Sequence, residues 1–358
     1  MDPTTPKSFT NWVTISQLIA QIGFCSTTIF CGILILLTVF GVKRSFGSYK
    51  YLLVLFPAVG IVFAVVEVLL CPNVHSYNAS YLLYSIRRPF GMTIKSVTIF
   101  MAFYCTIYAS TICMLSVQFV YRYWAVFDET NLRYFEGWRF FICIGYSTIV
   151  GAQWGVSVYN FNEADDYTDE YQGSEMLSRY SLNITEISRL PLVFYAADGS
   201  IRWFNICSIV DMTVFMVVQY TIIIYCAVVM YQQMEEKLQI LSASLRNLHR
   251  QFYKTLVVQI ITPSICLFAP VAIIINIPMF DLKISVPTGA FVCGFTLYPA
   301  MDAIIVMYIV KDYRKAVRIM LKKLLDMLYR VLDLNDYRLN ASTTATAGNE
   351  GGANNAPV

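Results

Sequence analysis

Residues 51–70 read YLLVLFPAVGIVFAVVEVLL, an apolar run in which Glu67 is the one charged residue. A helix rises about 1.5 Å per residue and a bilayer core is about 30 Å thick, so a run of this length and composition spans a membrane. Six more runs of the same kind flank it, at 13–40, 92–120, 138–159, 203–231, 255–277 and 286–310, each bounded by polar blocks. Backbone groups in hydrocarbon must be satisfied internally, which restricts long apolar runs to helices. The expectation is an all-α membrane protein, a seven-transmembrane helix bundle over 13–310 preceded by an extracellular N-terminus at 1–12.

Composition agrees. The chain has 358 residues, 57% apolar and 14% charged, with mean hydropathy +0.56; soluble domains carry about 25% charged residues. Ten cysteines fall mostly inside apolar runs without a C-x-x-C or Cys/His set, which argues against a disulfide scaffold or a metal site. The net charge of +3 is too small to suggest a nucleic-acid partner. The first run contains Gln17 and Gln21, is too long for a signal-peptide core, and is expected to be retained.

Basic residues orient the bundle. One set of alternating loops and the C-terminal segment hold 18 of the 26 Lys and Arg, the other set 8. Basic residues stay preferentially in the cytoplasm, which places the N-terminus outside and the C-terminus inside. The sequons at Asn78 and Asn183 fall in loops assigned outside and are candidate glycosylation sites, whereas Asn340 is assigned to the cytoplasm.

The longest outer loop, 160–202, contains Glu163, Asp165, Asp166, Asp169, Glu170, Glu175, Glu186 and Asp198, and reads as an acidic rim that either screens ligands by charge or is simply solvated. The inner loop 232–254 has leucines at helical spacing, so the fifth and sixth helices are expected to extend beyond the membrane. Residues 311–332 alternate Val317, Leu321, Leu324, Leu325, Leu328 and Leu332 with Arg318, Lys322 and Lys323, a C-terminal amphipathic helix suited to an anionic lipid leaflet. The stretch 341–358, rich in Ala, Thr, Gly and Asn, is expected to be disordered.

Ionisable groups within spans are costly and therefore mark candidate sites. Glu67 and Lys95 lie near the outer ends of the second and third helices, where they form either a pocket pair or a structural clasp. Asp211 lies deeper in the fifth helix, as a ligand contact or a packing polar group. Phe100, Phe103, Tyr104 and Trp154 are aromatic candidates for a pocket lining or for plain packing. Arg122, within Tyr121-Arg122-Tyr123-Trp124, stands at the inner end of the third helix. Tyr298-Pro299 precedes Asp302 by one turn, placing a kink beside a buried acid, and Pro263 and Pro270 weaken the sixth helix. The sequence has no G-x-S-x-G, H-E-x-x-H or phosphate-binding glycine loop, so neither an enzyme nor a cofactor site is expected.

Together these residues resemble the nematode serpentine chemoreceptors of the Str type, odorant receptor-like proteins with seven helices. The resemblance spans most of the chain and is carried by Gln118 to Val126, by Leu256-Val257-Val258-Gln259 through Pro263 and Pro270, and by Tyr298-Pro299-Ala300-Met301-Asp302 followed by Lys311-Asp312-Tyr313-Arg314. It implies a G-protein-coupled receptor in the plasma membrane, in the cilium of a sensory neuron. A small odorant or pheromone would bind between the outer halves of the helices, and a heterotrimeric G protein would be engaged through Arg122, Tyr123 and Lys311. Two features depart from rhodopsin-like receptors: no cysteine is placed for a disulfide between the third helix and the second outer loop, and Asp302 is followed by Ala303 rather than proline. Competing classes are a ligand-gated channel of seven-helix chemoreceptor subunits, which the basic asymmetry opposes, and a secondary transporter, for which internal repeats are lacking.

Overall fold

The computed structural model describes residues 8–41, 48–240 and 257–349. Among these, seven segments are long and apolar enough to cross a membrane. In chain order the helices are α1 (Thr10–Gly41), α2 (Tyr49–Leu70), α3 (Ile94–Phe127), α4 (Phe140–Phe161), the shorter polar α5 (Asp166–Tyr180), α6 (Trp203–Ile240), α7 (Val257–Phe280), α8 (Gly289–Ile309) and α9 (Lys311–Asn349). α6 continues past its spanning part to Ile240, and the rest of the expected inner extension, 241–256, lies outside the described residues.

α3 and α4 approach closely, and the cause is a Gly-x-x-x-Gly pair. A Cβ on Gly151 would sit 2.9 Å from the Thr106 carbonyl oxygen, and one on Gly155 2.7 Å from the Ala102 carbonyl oxygen. In lipid, where burial of apolar surface gives no driving force between helices, such close backbone contact supplies dispersion instead. α8 is held by small contacts of a similar kind: Gly60 of α2 lies against Pro299, Thr27 of α1 donates to the Thr296 carbonyl at 2.5 Å, and the Cys31 thiol donates to the Pro299 carbonyl at 3.4 Å.

One end of the bundle is roofed by a four-stranded antiparallel sheet, an element that the run-by-run sequence reading did not anticipate. Its order is β3-β2-β1-β4, with β1 Asn73–Tyr77, β2 Ser80–Ser85, β3 Ser188–Val193 and β4 Ser285–Pro287. β1 and β2 form a hairpin whose register runs from Asn73 opposite Tyr84 to Tyr77 opposite Ser80, turning at Asn78 in the left-handed region (φ 47°). Asparagine tolerates that conformation better than most residues. Alternation then sorts the side chains. Val74, Tyr81, Leu83, Leu190 and Leu192 join the bundle core, while Leu82 and Tyr84 pack beneath α5 with Met176 and Tyr180. The sheet is thus covered on both faces, with α5 as an outer layer.

At the other end Val310 leaves the helical region (ψ 118°) and α9 begins. α9 is fastened by Tyr313, 1% exposed, whose hydroxyl pairs with Thr38 Oγ1 at 2.8 Å. Leu321, Leu324, Leu325 and Leu328 are exposed along α9. Its helical backbone runs through 341–349, within the stretch 341–358 for which disorder is expected from composition. Residues 350–358 lie outside the described residues.

Candidate functional site

Beneath the sheet is an apolar cavity of about 80 Å³, roofed by Val74, Tyr81 and Leu83 and walled by Tyr104, Tyr108 and Trp154 among others. Trp154 stands edge-on to Tyr108, and Phe295 of α8 closes on Tyr108 at a ring separation of 5.0 Å. Beside the cavity, Glu67 is fully buried. The Tyr104 hydroxyl and the Cys293 thiol are its polar neighbours.

The cavity is linked to α7. Tyr108 donates its hydroxyl proton to the Leu267 carbonyl at 3.1 Å. Leu267 lies in a π-helical stretch, Ser264–Phe268, set between Pro263 and Pro270. The widened turn loosens the helical hydrogen-bond ladder at this point. In the same stretch Ser264 meets the Tyr220 hydroxyl of α6 at 3.0 Å.

Eight residues before Leu267, about 12 Å along the helix, α7 presents Gln259 to the far end of the bundle. Arg122 is 6% exposed there. It donates from Nη1 to Gln259 Oε1 at 2.5 Å, and from Nε and Nη2 to the Tyr49 hydroxyl at 3.0 and 2.6 Å. Gln259 Nε2 in turn donates to Asp302 Oδ1 at 2.9 Å. The amide therefore bridges a guanidinium and a carboxylate, joining α2, α3, α7 and α8 in one buried network. Phe119 and Tyr49 cover the guanidinium at 5.6 and 5.7 Å, and Tyr49 stacks on Tyr121.

The roof has its own polar clasp. His75 Nδ1 pairs with the Tyr180 hydroxyl at 3.0 Å, and His75 Nε2 lies 3.5 Å from Glu175 Oε1. That oxygen also accepts from Ser285 Oγ at 2.5 Å and Arg179 Nε at 3.1 Å. Burial pushes the Glu175 carboxyl up, but hydrogen bonds from His75 and Ser285 and the charge of Arg179 outweigh it and hold the group at about 2. Asp169 takes a two-pronged bond from Arg189, and Asp165 accepts from Arg202. Part of the acidic rim is thus spent tying α5 to β3 and to the start of α6, while Glu163, Asp166, Glu170, Glu186 and Asp198 are exposed.

The fold and both ends of the bundle can now be compared with known proteins. The family model described as serpentine type 7TM GPCR chemoreceptor Str matches residues 16–318. The chain belongs to this family. Among its relatives is the G-protein coupled receptor str-33 of Caenorhabditis elegans, 32% identical over 308 residues that cover 84% of this chain and 89% of that protein. The serpentine receptor class r-10 of the same organism is 27% identical over 312 residues, 86% of this chain and 91% of its own length. In fold, this Str receptor is similar to squid rhodopsin, with a TM-score of 0.60 at 13% identity, covering 89% and 88% of the two chains.

The structure distributes the residues singled out in the sequence unevenly. Tyr104 and Trp154 line the cavity and Glu67 lies beside it. Phe103 is 46% exposed on the outer face of the bundle, stacked on Phe100, and neither lines the cavity. The expected Glu67 and Lys95 pair does not form. Lys95 is exposed in the first turn of α3, whereas Glu67 is reached from Tyr104, nine residues and about two and a half turns further on, on the opposite face of that helix. Asp211 accepts from Gln153 of α4, away from the cavity lining. Tyr123 packs on Phe127 and Tyr225, and Lys311 is exposed where α9 begins. Tyr298 is 1% exposed, edge-on to Phe56. Asn183 is exposed, while Asn78 is half-buried in its hairpin turn. Two members of the Arg122 network, Tyr49 and Gln259, were not among the candidate site residues, although Gln259 belongs to a stretch that carries the family resemblance. For Gln259 a signal existed: it is an isolated amide in an apolar run, the same criterion that picks out Asp302.

Proposed function

We propose that this serpentine chemoreceptor binds a small, mainly apolar odorant or pheromone-like ligand in the cavity beneath the sheet and activates a heterotrimeric G protein at the Arg122 end. The sheet end faces outward, in the plasma membrane of a sensory cilium, and the C-terminus lies in the cytoplasm. The observation that carries this reading is the buried Arg122, Gln259 and Asp302 network, which holds α7 to α3 and α8 at the end opposite the cavity.

A ligand seated against Tyr108 and Phe295 presses on the helices that the network joins. Displacing Tyr108 loosens its hold on the Leu267 carbonyl, and the π-helical stretch between Pro263 and Pro270 is the natural hinge. Movement of α7 there withdraws Gln259 from Arg122. The freed guanidinium, with Tyr123 and the Lys311 end of α9, then forms the face offered to the G protein. Ligand binding acts by differential affinity for the two arrangements, and a ligand with equal affinity for both shifts nothing. Glu67 and Tyr104 are assigned as the polar contacts of the ligand, and Trp154 as a wall. Pro263, Pro270, Tyr298, Pro299 and Asp302 belong to the moving part.

The test is an odorant panel applied to cells expressing the receptor with a G-protein reporter, in parallel with Val292→Trp. Val292 lines the cavity and is 6% exposed. Responses that disappear in Val292→Trp at unchanged surface expression support the assignment. An odour-evoked current that persists when G-protein cycling is blocked would overturn it in favour of a channel.

A further inference from the structure

A second cavity, of about 370 Å³, lies outside the bundle axis at the Arg122 end, between α3, α4 and α6 and above the loop that joins α3 to α4. Val117, Trp124, Phe135, Ile142, Tyr146 and Ile222 form much of its wall. We propose that it is a binding site for a sterol-class lipid, a rigid, uncharged fused-ring amphiphile taken from the bilayer.

Position excludes a water-borne ligand. The lining belongs to membrane-spanning helices and the adjoining loop, and around it Ile142, Phe141 and Ile149 are 54%, 70% and 71% exposed, so hydrocarbon is the phase at its side. Its interior offers little to a strongly polar molecule. The Ser116 hydroxyl is spent on Gln219 Oε1 at 2.7 Å, while the Tyr146 hydroxyl accepts from Gln219 Nε2 at 2.8 Å and keeps its own proton, a single donor suited to an uncharged hydroxyl.

The loop chooses the head group. Residues 128–139 carry Arg133 and Arg139 against Asp128, Glu129 and Glu136, so no excess positive charge awaits a phosphate. Arg133 is moreover drawn over the Tyr134 ring at 5.2 Å. An anionic phospholipid gains little there, while an uncharged head loses nothing.

The walls choose the body. Trp124, Tyr134, Phe135 and Tyr146 supply aromatic surface to a flat partner, Trp124 standing edge-on to Phe135 at 5.8 Å. A flexible acyl chain gives up rotamer freedom on entering such a space, whereas fused rings arrive already ordered. Occupancy also reaches the signalling end. Phe135 meets Tyr121 at 4.8 Å, Tyr121 stacks on Tyr49 at 5.0 Å, and Tyr49 holds Arg122.

The experiment uses the full-length receptor in membranes with a photoreactive diazirine analogue of cholesterol, followed by peptide mapping. Label is expected on the segments 116–124 and 134–146, competed by unlabelled cholesterol, and reduced at least about fivefold by the filling variants Ile142→Trp and Val120→Phe. Ile149→Trp, two turns away on the same lipid-facing side of α4, should label as wild type. Cholesterol should raise the thermal unfolding midpoint of wild type and of Ile149→Trp, but not of a filled variant that reaches the surface normally. Label spread evenly over the lipid-facing surface, or unchanged in the filled variants, overturns the proposal. So does displacement by phosphatidylcholine as effective as by cholesterol, which would make the occupant an acyl chain. None of these readouts depends on the odorant or on a G protein.

Discussion

Replacing Tyr49 with phenylalanine isolates the hold on Arg122. The phenol oxygen accepts two guanidinium N–H groups, at 3.0 and 2.6 Å, while the ring separately stacks on Tyr121 and covers the guanidinium. Tyr49→Phe removes the acceptor and keeps the ring. A hydrogen bond to a charged group contributes about 1.5–3 kcal/mol. Both N–H groups share one oxygen, so the bond is counted once, at about 2 kcal/mol. Arg122 is 6% exposed, so bulk water has poor access to replace that acceptor. If the bond belongs to the resting arrangement alone, losing about 2 kcal/mol moves the equilibrium about 30-fold toward the active one. An active state populated at about 1% without ligand then rises to about 20%. The assay is ligand-free G-protein activation at matched surface density, beside Gln259→Leu, which cuts the same network from α7. A basal signal in Tyr49→Phe within about twofold of wild type, or below it, would refute the view that this network is a resting-state lock.

Three other predictions concern stability and topology. The Glu175 carboxyl, held at about 2 against an ordinary value near 4.5, contributes stability that is present above that ordinary value and lost as pH falls toward 2. The unfolding midpoint of the purified receptor should therefore fall more steeply through this window in wild type than in Glu175→Gln, and parallel curves would remove the clasp from the stability argument. Gly155→Ala drives a Cβ against the Ala102 carbonyl oxygen and should cost about 1–3 kcal/mol, read as a lowered midpoint and reduced surface expression; Gly145→Ala on the same helix, with open space at its Cβ, should cost nothing. Asn183 is exposed and Asn78 is half-buried in a tight hairpin, so the shift on glycosidase treatment should vanish in Asn183→Gln and survive in Asn78→Gln. A shift that depends on Asn340 would reverse the proposed orientation.

Of the functional ends, the sequence made single residues legible but not their partners. Asp302 stood out because a charge in an apolar run is conspicuous by its cost, and Arg122 because the family resemblance points to an arginine at the inner end of the third helix. Their connection through Gln259 did not, because an amide becomes a bridge only when two other helices bring a donor and an acceptor to its two ends. The Glu67 and Lys95 pairing failed for a related reason. Proximity to the same membrane face fixes depth, whereas the rotation of α3 decides which residue meets Glu67, and that rotation is set by Gly151 and Gly155 packing on the backbone of α3.

The amino-acid sequence by itself determined the seven spans and the amphipathic segment after them, since both follow from run length, helical periodicity and the cost of exposing polar groups to hydrocarbon, all local along the chain. Only the tertiary structure decided the roof. β1 and β2 come from one loop, β3 from a second and β4 from a third, and each is too short to announce itself. They become strands because a sheet lets loops buried between the bundle core and α5 satisfy their backbone hydrogen bonds, and that burial exists only once the helices have assembled.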